Sequence, residues 1–265
     1  MLKFLIAIVF VVVSLPGFSQ EKSANKLDEE GRKTGWWTAY DQQGNIIYTG
    51  FFVDGHPVDT LRRYYPDGTL KALMVYDPAG IKVEAEIYDE QGCLRACGNY
   101  LNQLKQGPWV FYSPQNKPLF KINYVNDSLD GLAVRYYANG IIMEKTRWSG
   151  NKMDGLQEVF NENGDKISEY NYNNGQLNGK YTVYNPNGSI AIIGYYRENL
   201  KDGNWIYFNE NGDEDYTLNY SAGKLTNPGI LEDRRKEVFE QYEKNRTLIK
   251  DPNLYLSDPR SYFRK

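Results

Sequence analysis

The sequence predicts an all-β fold, an elongated antiparallel meander of eight 24-residue β-hairpin repeats closed by a C-terminal amphipathic helix. Three observations predict it: a 24-residue period, two aromatic positions in every unit, and a glycine or asparagine at one turn of every unit. The units start at residues 35, 59, 83, 107, 131, 155, 179 and 203 and end at residue 226, with no gap or insertion. Because one hairpin cannot bury its own face, neighbouring units must stack to form the core.

Two aromatic columns define the strands of each unit. The sixth residue of every unit is aromatic, as is the eighteenth, so each arm of the hairpin carries one ring. The first column is Tyr40, Tyr64, Tyr88, Tyr112, Tyr136, Phe160, Tyr184 and Phe208. The second is Phe52, Tyr76, Tyr100, Tyr124, Trp148, Tyr172, Tyr196 and Tyr220. These rings are expected to cover the neighbouring hairpins.

The first turn of each unit is written in stretches such as VYNPNG at 183–188. Proline suits the first central residue of a type I turn, and a following left-handed residue completes a three-residue hairpin loop. The tenth residue of each unit fits that left-handed position, because it is glycine in seven units and Asn116 in the other. A second turn near the twentieth residue, as in Asn173-Asn174-Gly175, returns the chain.

A glycine also heads six of the eight units, whereas units 2 and 3 begin with Asp59 and Val83. We expect the heading glycine to leave room for a ring to lie over the backbone. Packing in units 2 and 3 is therefore expected to differ.

The ends of such a sheet need covers, because unpaired edge strands invite association. The stretch LDEEGRKTG at 27–35 resembles the closing half of a unit, with Gly31 in the second-turn position, and residues 20–34 are expected to form a partial repeat that caps the sheet. Residues 227–265 are expected to form a helix and an extended tail, with Asn227 as N-cap and Pro228 in the first turn. Leu231, Val238, Tyr242 and Ile249 would line one helical face. That face is expected to cap the last hairpin, with a separate partner or a membrane surface as alternatives.

Residues 1–19 have the pattern of a secretory signal peptide cleaved after Ser19. The apolar run from Phe4 to Val13 is shorter than a membrane span, which needs about 20 residues. We therefore expect an exported protein, periplasmic or extracellular. In an oxidising compartment Cys93 and Cys97 either stay as partly buried thiols or form a disulfide, which requires a sharp bend between them.

The composition gives little support for catalysis or nucleic-acid binding. The formal net charge is −3 with interspersed charges, so no basic patch for nucleic acid is expected. The only histidine, His56, lies in a predicted turn, and no metal or cofactor site and no catalytic residues are predicted. Asp130, Asp154 and Asp202 each precede a heading glycine. We expect these aspartates to be polar turn residues that lie close to hydrogen-bond donors of the next hairpin.

Residues 179–212, GKYTVYNPNGSIAIIGYYRENLKDGNWIYFNENG, resemble the MORN-repeat variant family of bacteria. The resemblance extends over residues 27–226 and is strongest from residue 107 onward. It implies a scaffold for protein contact, with phospholipid contact proposed for some members and an antitoxin-like or immunity-like classification for many.

The candidate binding residues are Trp37, Trp109, Tyr181 and Trp205, each the third residue of its unit. Their pleat parity is opposite to that of the sixth-residue column, so they should face the other side of the sheet. Three interpretations remain open: ordinary packing, a protein-binding stripe, or rings that stack on polysaccharide sugars.

We therefore expect a non-enzymatic, exported scaffold that binds an unidentified envelope or secreted protein. Carbohydrate binding and an immunity role are the alternatives. No nucleic acid is expected as a partner, and membrane contact is disfavoured.

Overall fold

The computed structural model describes residues 25–246, which form one sheet of twenty strands and a helix. The proposed signal peptide at 1–19 and the tail from residue 247, including Ile249, lie outside the described residues. The strands are β1 (Lys26–Leu27), β2 (Lys33–Tyr40), β3 (Ile46–Val53), β4 (His56–Tyr64), β5 (Leu70–Tyr76), β6 (Lys82–Tyr88), β7 (Leu94–Leu101), β8 (Leu104–Tyr112), β9 (Pro118–Val125), β10 (Ser128–Leu129), β11 (Gly131–Tyr136), β12 (Ile142–Ser149), β13 (Lys152–Phe160), β14 (Lys166–Asn173), β15 (Gln176–Leu177), β16 (Gly179–Tyr184), β17 (Ile190–Arg197), β18 (Leu200–Phe208), β19 (Glu214–Ser221) and β20 (Lys224–Leu225).

Each long strand pairs in antiparallel fashion with the long strands before and after it. Where a short strand intervenes, the long strands still meet, as β9 and β11 do at Lys121 and Val134 and β14 and β16 do at Glu169 and Thr182. The predicted all-β antiparallel meander is therefore confirmed.

The first turns follow the sequence prediction. In unit 7 the N–H of Gly188 donates to the carbonyl of Asn185 over 2.9 Å, and Gly188 has φ +82°. A register shift between Val183 and Tyr184 records the bulge. Asn116, which replaces glycine, adopts φ +58°. The prediction of a left-handed residue at this position is confirmed.

The second turns of all units but unit 2 are two-residue loops in which both residues have positive φ, the arrangement of a type I′ turn. Successive second turns are joined by hydrogen bonds: the N–H of Asn151 in the turn of unit 5 donates to the carbonyl of Leu129, which follows the turn of unit 4, over 3.0 Å. The Asp130 carboxylate accepts from the Gly150 N–H over 3.3 Å, and Asp202 does the same with the Ala222 N–H over 3.4 Å. The expectation that these carboxylates serve the next hairpin is confirmed for Asp130 and Asp202.

The heading glycines have a different role from the predicted one. Gly107 and Gly203 adopt φ +70° and +69°, and a Cβ on either would meet no atom within 4 Å. Glycine therefore suits these positions because of its backbone angle, and no ring lies over either of them. Asp59 adopts the same left-handed geometry, with φ +61°, whereas Val83 is buried in an ordinary strand position.

The sheet has two distinct faces. We call the tryptophan face the side that carries the third, fifth, fourteenth, sixteenth and eighteenth residues of each unit. Trp109, Ala85 and Ala96 form its central buried cluster. The opposite face carries the sixth-residue column: the Tyr112 hydroxyl lies 3.6 Å from the Cys97 sulfur, and Cys97 pairs with Val110, the neighbour of Trp109 along the strand.

The helix α1 (Gly229–Arg246) forms as predicted, but it does not cover the last hairpin. None of its residues is buried, and Val238 is 67% exposed. Its side-chain anchor is Arg234, which pairs with Asp215 and lies 4.9 Å from the Tyr216 ring centroid. The prediction that helix α1 caps the last hairpin is therefore wrong beyond the first turns of the helix. No helix within residues 25–246 is long and apolar enough to cross a membrane.

Asparagine side chains cover part of each sheet edge. The predicted N-cap Asn227 instead accepts from the Asn219 N–H over 2.8 Å and donates to the Thr217 carbonyl over 2.9 Å. Asn25 makes the same pair of contacts at the first edge: its side-chain amide donates to the Thr38 carbonyl over 2.7 Å and accepts from the Thr38 N–H over 2.8 Å. The amide replaces the missing neighbour strand, because it offers one donor and one acceptor at ladder spacing.

Candidate functional site

Trp109 is the most deeply buried ring of the tryptophan face, at 1% exposure. It lies across the backbone of Gly98 on the neighbouring strand β7, where a Cβ would stand 2.3 Å from the ring. Its Nε1–H donates to the Asn99 carbonyl over 3.0 Å. Tyr100 meets the ring edge-on, with the centroids 5.0 Å apart. Gly98 therefore acts as a seat for the indole, because its lack of a side chain leaves the space that the ring occupies.

Trp205 repeats this arrangement 96 residues later, at 2% exposure. A Cβ on Gly194 would stand 2.4 Å from its ring, and its Nε1–H donates to the Tyr195 carbonyl over 3.2 Å. Tyr196 meets it edge-on at 5.1 Å.

A lysine ammonium lies beside each of the three tryptophans of this column. The Nζ-to-ring distances are 5.1 Å for Lys33 and Trp37, 5.1 Å for Lys105 and Trp109, and 4.0 Å for Lys201 and Trp205. Burial lowers the pKa of Lys201. These contacts place positive charge along the second-turn side of the face.

The structure corrects the idea of an exposed row of third-residue rings. Trp109 and Trp205 are core residues, and neither presents a ring face on which a sugar could stack. Trp37 and Tyr181 are half-buried, and the Trp37 Nε1–H donates to the Lys26 carbonyl over 2.9 Å. Of the three interpretations, packing describes Trp109 and Trp205, because the glycine opposite lets the strand accept the whole indole.

A cluster of tyrosines surrounds Trp205 on the tryptophan face of units 6 to 8. We call it the tyrosine patch; its members are Tyr170, Tyr181, Tyr196, Tyr207, Tyr216 and Tyr220. All six are half-buried, so each ring is held by its neighbours while part of it remains accessible. Tyr207 and Tyr216 stack at 4.5 Å with an interplanar angle of 7°. Tyr181 lies 4.9 Å from Tyr170 and 5.3 Å from Trp205.

The pKa of three phenols of the patch is raised. Burial, together with the neighbouring Tyr170, raises the pKa of Tyr181. Burial also raises the pKa of Tyr207 and of Tyr216. These three phenols therefore stay protonated at neutral pH and offer rigid apolar ring surface with neutral hydroxyls, which suits contact with another protein.

Sequence reasoning identified Tyr181 but missed Tyr170, Tyr207 and Tyr216 as members of a binding surface. They occupy the sixteenth, fifth and fourteenth places of their units, which hold other residue types in the remaining units except for Tyr48 at the fourteenth place of unit 1. The available signal was pleat parity, which puts all three on the face of Tyr181.

A polar belt separates the tyrosine patch from the Trp109 cluster. Thr146 is 2% exposed and Gln157 8%, and the Gln157 amide donates to the Thr146 hydroxyl over 3.3 Å. Thr146 in turn donates to Glu144 over 2.7 Å. The aromatic surface is thus divided into separate areas.

The opposite face carries a satisfied ionic cluster. The Lys166 ammonium lies 2.6 Å from Glu158 and 2.6 Å from Glu169, and these hydrogen bonds raise the pKa of Lys166. Burial favours a higher pKa for Glu169, but the hydrogen bonds from Lys166 and Tyr184 outweigh it and leave that pKa lowered. The cluster joins unit 6 to unit 7 through the contact between Glu169 and Tyr184.

Residues with metal or nucleophilic chemistry are not gathered into a site. No group of three His, Cys, Asp or Glu residues in the described part of the chain is arranged to hold a metal ion. His56 is an exposed residue at the start of β4. Cys93 and Cys97 are free, half-buried thiols, so of the two expectations for these cysteines the disulfide is not formed.

Comparison with protein families matches three stretches of the chain to the MORN repeat variant, at residues 129–148, 153–174 and 177–198. Their starts are 24 residues apart, the period read from the sequence. Residues 129–198 are thus similar to three consecutive repeats of this family. No curated protein matches the chain significantly.

Proposed function

We propose that this chain, which contains three consecutive stretches similar to MORN repeats, is a non-enzymatic scaffold that binds another protein through the tyrosine patch. The observation that carries the proposal is the packing of six half-buried tyrosines on one face: three contact the buried Trp205 directly, a fourth packs on one of these, and the remaining two stack on each other. Pre-packed rings lose little conformational entropy on binding, and Tyr is enriched at the energetic centres of interfaces.

The patch continues onto helix α1 through Arg234, whose guanidinium stacks on Tyr216. Beyond that contact the helix presents Leu231, Val238 and Tyr242 on neighbouring turns, all exposed. A partner that covers the patch would also reach this helix. We propose that both surfaces belong to one interface.

We further propose that the protein acts after export, in the periplasm or outside the cell, and that its partner is an envelope or secreted protein. The support is the signal-peptide pattern of residues 1–19. An immunity role is a special case of this proposal, in which the partner is a toxin.

The test is affinity capture from an envelope extract of the source cell, followed by affinity measurement with the purified partner. The variant Tyr207→Ala/Tyr216→Ala removes the stacked pair, and Tyr207→Phe/Tyr216→Phe keeps the rings without hydroxyls. Tyr195→Ala is the matched control, because Tyr195 is 48% exposed in the neighbouring repeat, unit 7, but lies on the opposite face.

We expect the double alanine variant to weaken partner binding by about 30-fold, the effect of losing roughly 2 kcal/mol at an interface centre. Tyr195→Ala should bind like wild type, and all variants should keep the β-sheet signal in circular dichroism. Equal affinity of the alanine variant and wild type would remove the tyrosine patch from the interface.

A further inference from the structure

Units 2 and 3 open a groove of about 760 Å³ on the tryptophan face. Leu61, Met74 and Val83 line it, together with the second-turn segments on either side. A volume of this order is typical of small-molecule sites, which lie at about 300–1,000 Å³. It lies outside the tyrosine patch of units 6 to 8.

The groove exists because two features of the repeat are altered there. The second turn of unit 2 is replaced by a five-residue loop, Asp77–Ile81, in which Gly80 donates to the Asp77 carbonyl over 2.8 Å with φ +70°. Strands β5 and β6 then pair without a bulge, and Tyr76 lies directly opposite Val83. The longer loop and the missing bulge compensate for each other in residue number. The 24-residue period is therefore unchanged.

The second alteration is the side chain opposite Gly50. The corresponding glycines of units 3 and 7, Gly98 and Gly194, each seat the tryptophan of the next unit. Gly50 of unit 1 is also present, but Leu61 of unit 2 occupies the tryptophan position, with its Cδ1 2.8 Å from the place of a Cβ on Gly50. The smaller side chain leaves space that an indole fills elsewhere.

One end of the groove holds a positive charge without a partner. The Arg63 guanidinium makes no hydrogen bond and no ion pair with any residue from 25 to 246. Its cross-strand neighbours, Tyr48 and Ala72, are uncharged. Burial raises the pKa of Tyr76 and the charge of Arg63 opposes that rise, so the guanidinium and this phenol are electrostatic neighbours.

The other charged groups near the groove are already neutralised or distant from this end. Asp54 lines the second-turn side and pairs with Arg32 over 2.9 Å. The second-turn side offers apolar groups from Pro57, Pro78 and Ile81, and it also carries the polar residues His56, Asn102 and Gln103. The groove thus runs from two hydrogen-bond donors at one end to a side that is apolar along Pro57, Pro78 and Ile81 and polar elsewhere.

We propose that this groove binds a small apolar carboxylate, an aliphatic or aryl acid. Its carboxylate lies against the Arg63 guanidinium and the Tyr76 hydroxyl, and its apolar part extends over Leu61 and Met74 towards the Asp77–Ile81 loop. A guanidinium and a phenol satisfy a carboxylate by charge-assisted hydrogen bonds, and the apolar lining selects against small inorganic anions.

The test is calorimetric titration of the full chain with octanoate, and with octan-1-ol and octylammonium as probes of equal length. We expect saturable one-site binding of octanoate, at least tenfold weaker binding of octan-1-ol, and no binding of octylammonium. Arg63→Gln should weaken octanoate binding at least tenfold. Arg135→Gln is the matched control, because Arg135 holds the same place in unit 5 but lies 4.0 Å from Glu144.

Leu61→Trp supplies a second, independent test. Gly50 already provides the seat for an indole, so this variant should fold and close the groove, and octanoate binding should be lost with the thermal midpoint retained. If this variant fails to fold, the comparison of Arg63→Gln with Arg135→Gln still tests the proposal. Absence of saturable binding to wild type, or equal weakening by Arg63→Gln and Arg135→Gln, would overturn the proposal, and neither outcome bears on the tyrosine patch.

Discussion

Gly98→Ala is expected to destabilise the protein strongly, although alanine normally suits a strand better than glycine. The added Cβ would stand 2.3 Å from the Trp109 ring, whereas an ordinary contact begins near 3.4 Å. The indole must therefore move by about 1 Å in a site where only 1% of it is exposed. Overpacking of this kind costs about 1–3 kcal/mol. If the shift also breaks the bond to the Asn99 carbonyl, a further cost of about 1 kcal/mol follows.

The assay is equilibrium urea unfolding followed by tryptophan fluorescence and by circular dichroism, and we expect a loss of about 2–4 kcal/mol from these two terms. Gly229→Ala is the control: no atom lies within 4 Å of its Cβ and its φ is not positive. There the same change should stabilise the start of α1 by about 0.5–1 kcal/mol.

A double-mutant cycle isolates the cause. In a Trp109→Leu background the ring is gone, and the cost of Gly98→Ala should fall to less than half, because a leucine tip can rotate away as Leu61 can opposite Gly50. An unchanged cost in that background, or a neutral Gly98→Ala in the wild type, would refute the argument that the glycine is kept as a seat for the indole.

Three further outcomes are expected. Trp205→Ala should cost about 3–5 kcal/mol in thermal or urea unfolding, because a core ring is lost; a change below about 1 kcal/mol would mean that the ring is not packed as described. Asn227→Ala removes both amide contacts from the β19 edge and should raise the dimer fraction in analytical ultracentrifugation above that of wild type, whereas Asn211→Ala at a turn should leave the dimer fraction unchanged. The lowered pKa of Glu169 means that its stabilisation is complete above the ordinary value of 4.5 and is lost as the pH falls through the lowered value. Glu169→Gln should therefore unfold more easily than wild type at pH 7, and the two should converge in acid; a constant difference down to the acid limit would contradict this.

Much of the fold was predictable because the repeat is visible in the 24-residue period, in the aromatic positions and in the turn residues of the sequence. The left-handed geometry of Asn116 followed from its place in the glycine column, and the hydrogen bonds of Asp130 and Asp202 followed from their place before a turn. Backbone angle and turn chemistry are local, so the residues themselves carry that information.

The errors concern contacts between strands. Trp109 and Trp205 were grouped with candidate surface rings, because the sequence shows their pleat parity but not the glycines on the adjacent strand that bury them. Helix α1 was expected to cover the last hairpin, yet Val238 and Tyr242 are exposed and one arginine forms the side-chain anchor. A helical period alone does not say what the apolar side packs against.

The sequence by itself determined the all-β class, the 24-residue unit, the two turns of each hairpin and the antiparallel order, because these depend on local backbone preferences and on alternation along one strand. Only the tertiary structure decided which rings are buried, that a tyrosine patch surrounds Trp205, and that the unchanged period of units 2 and 3 conceals a loop, a missing bulge and a groove. Those features depend on cross-strand register. Tyr40 shows the difference: it belongs to the same column as Tyr112, yet it is 57% exposed because no full unit precedes it.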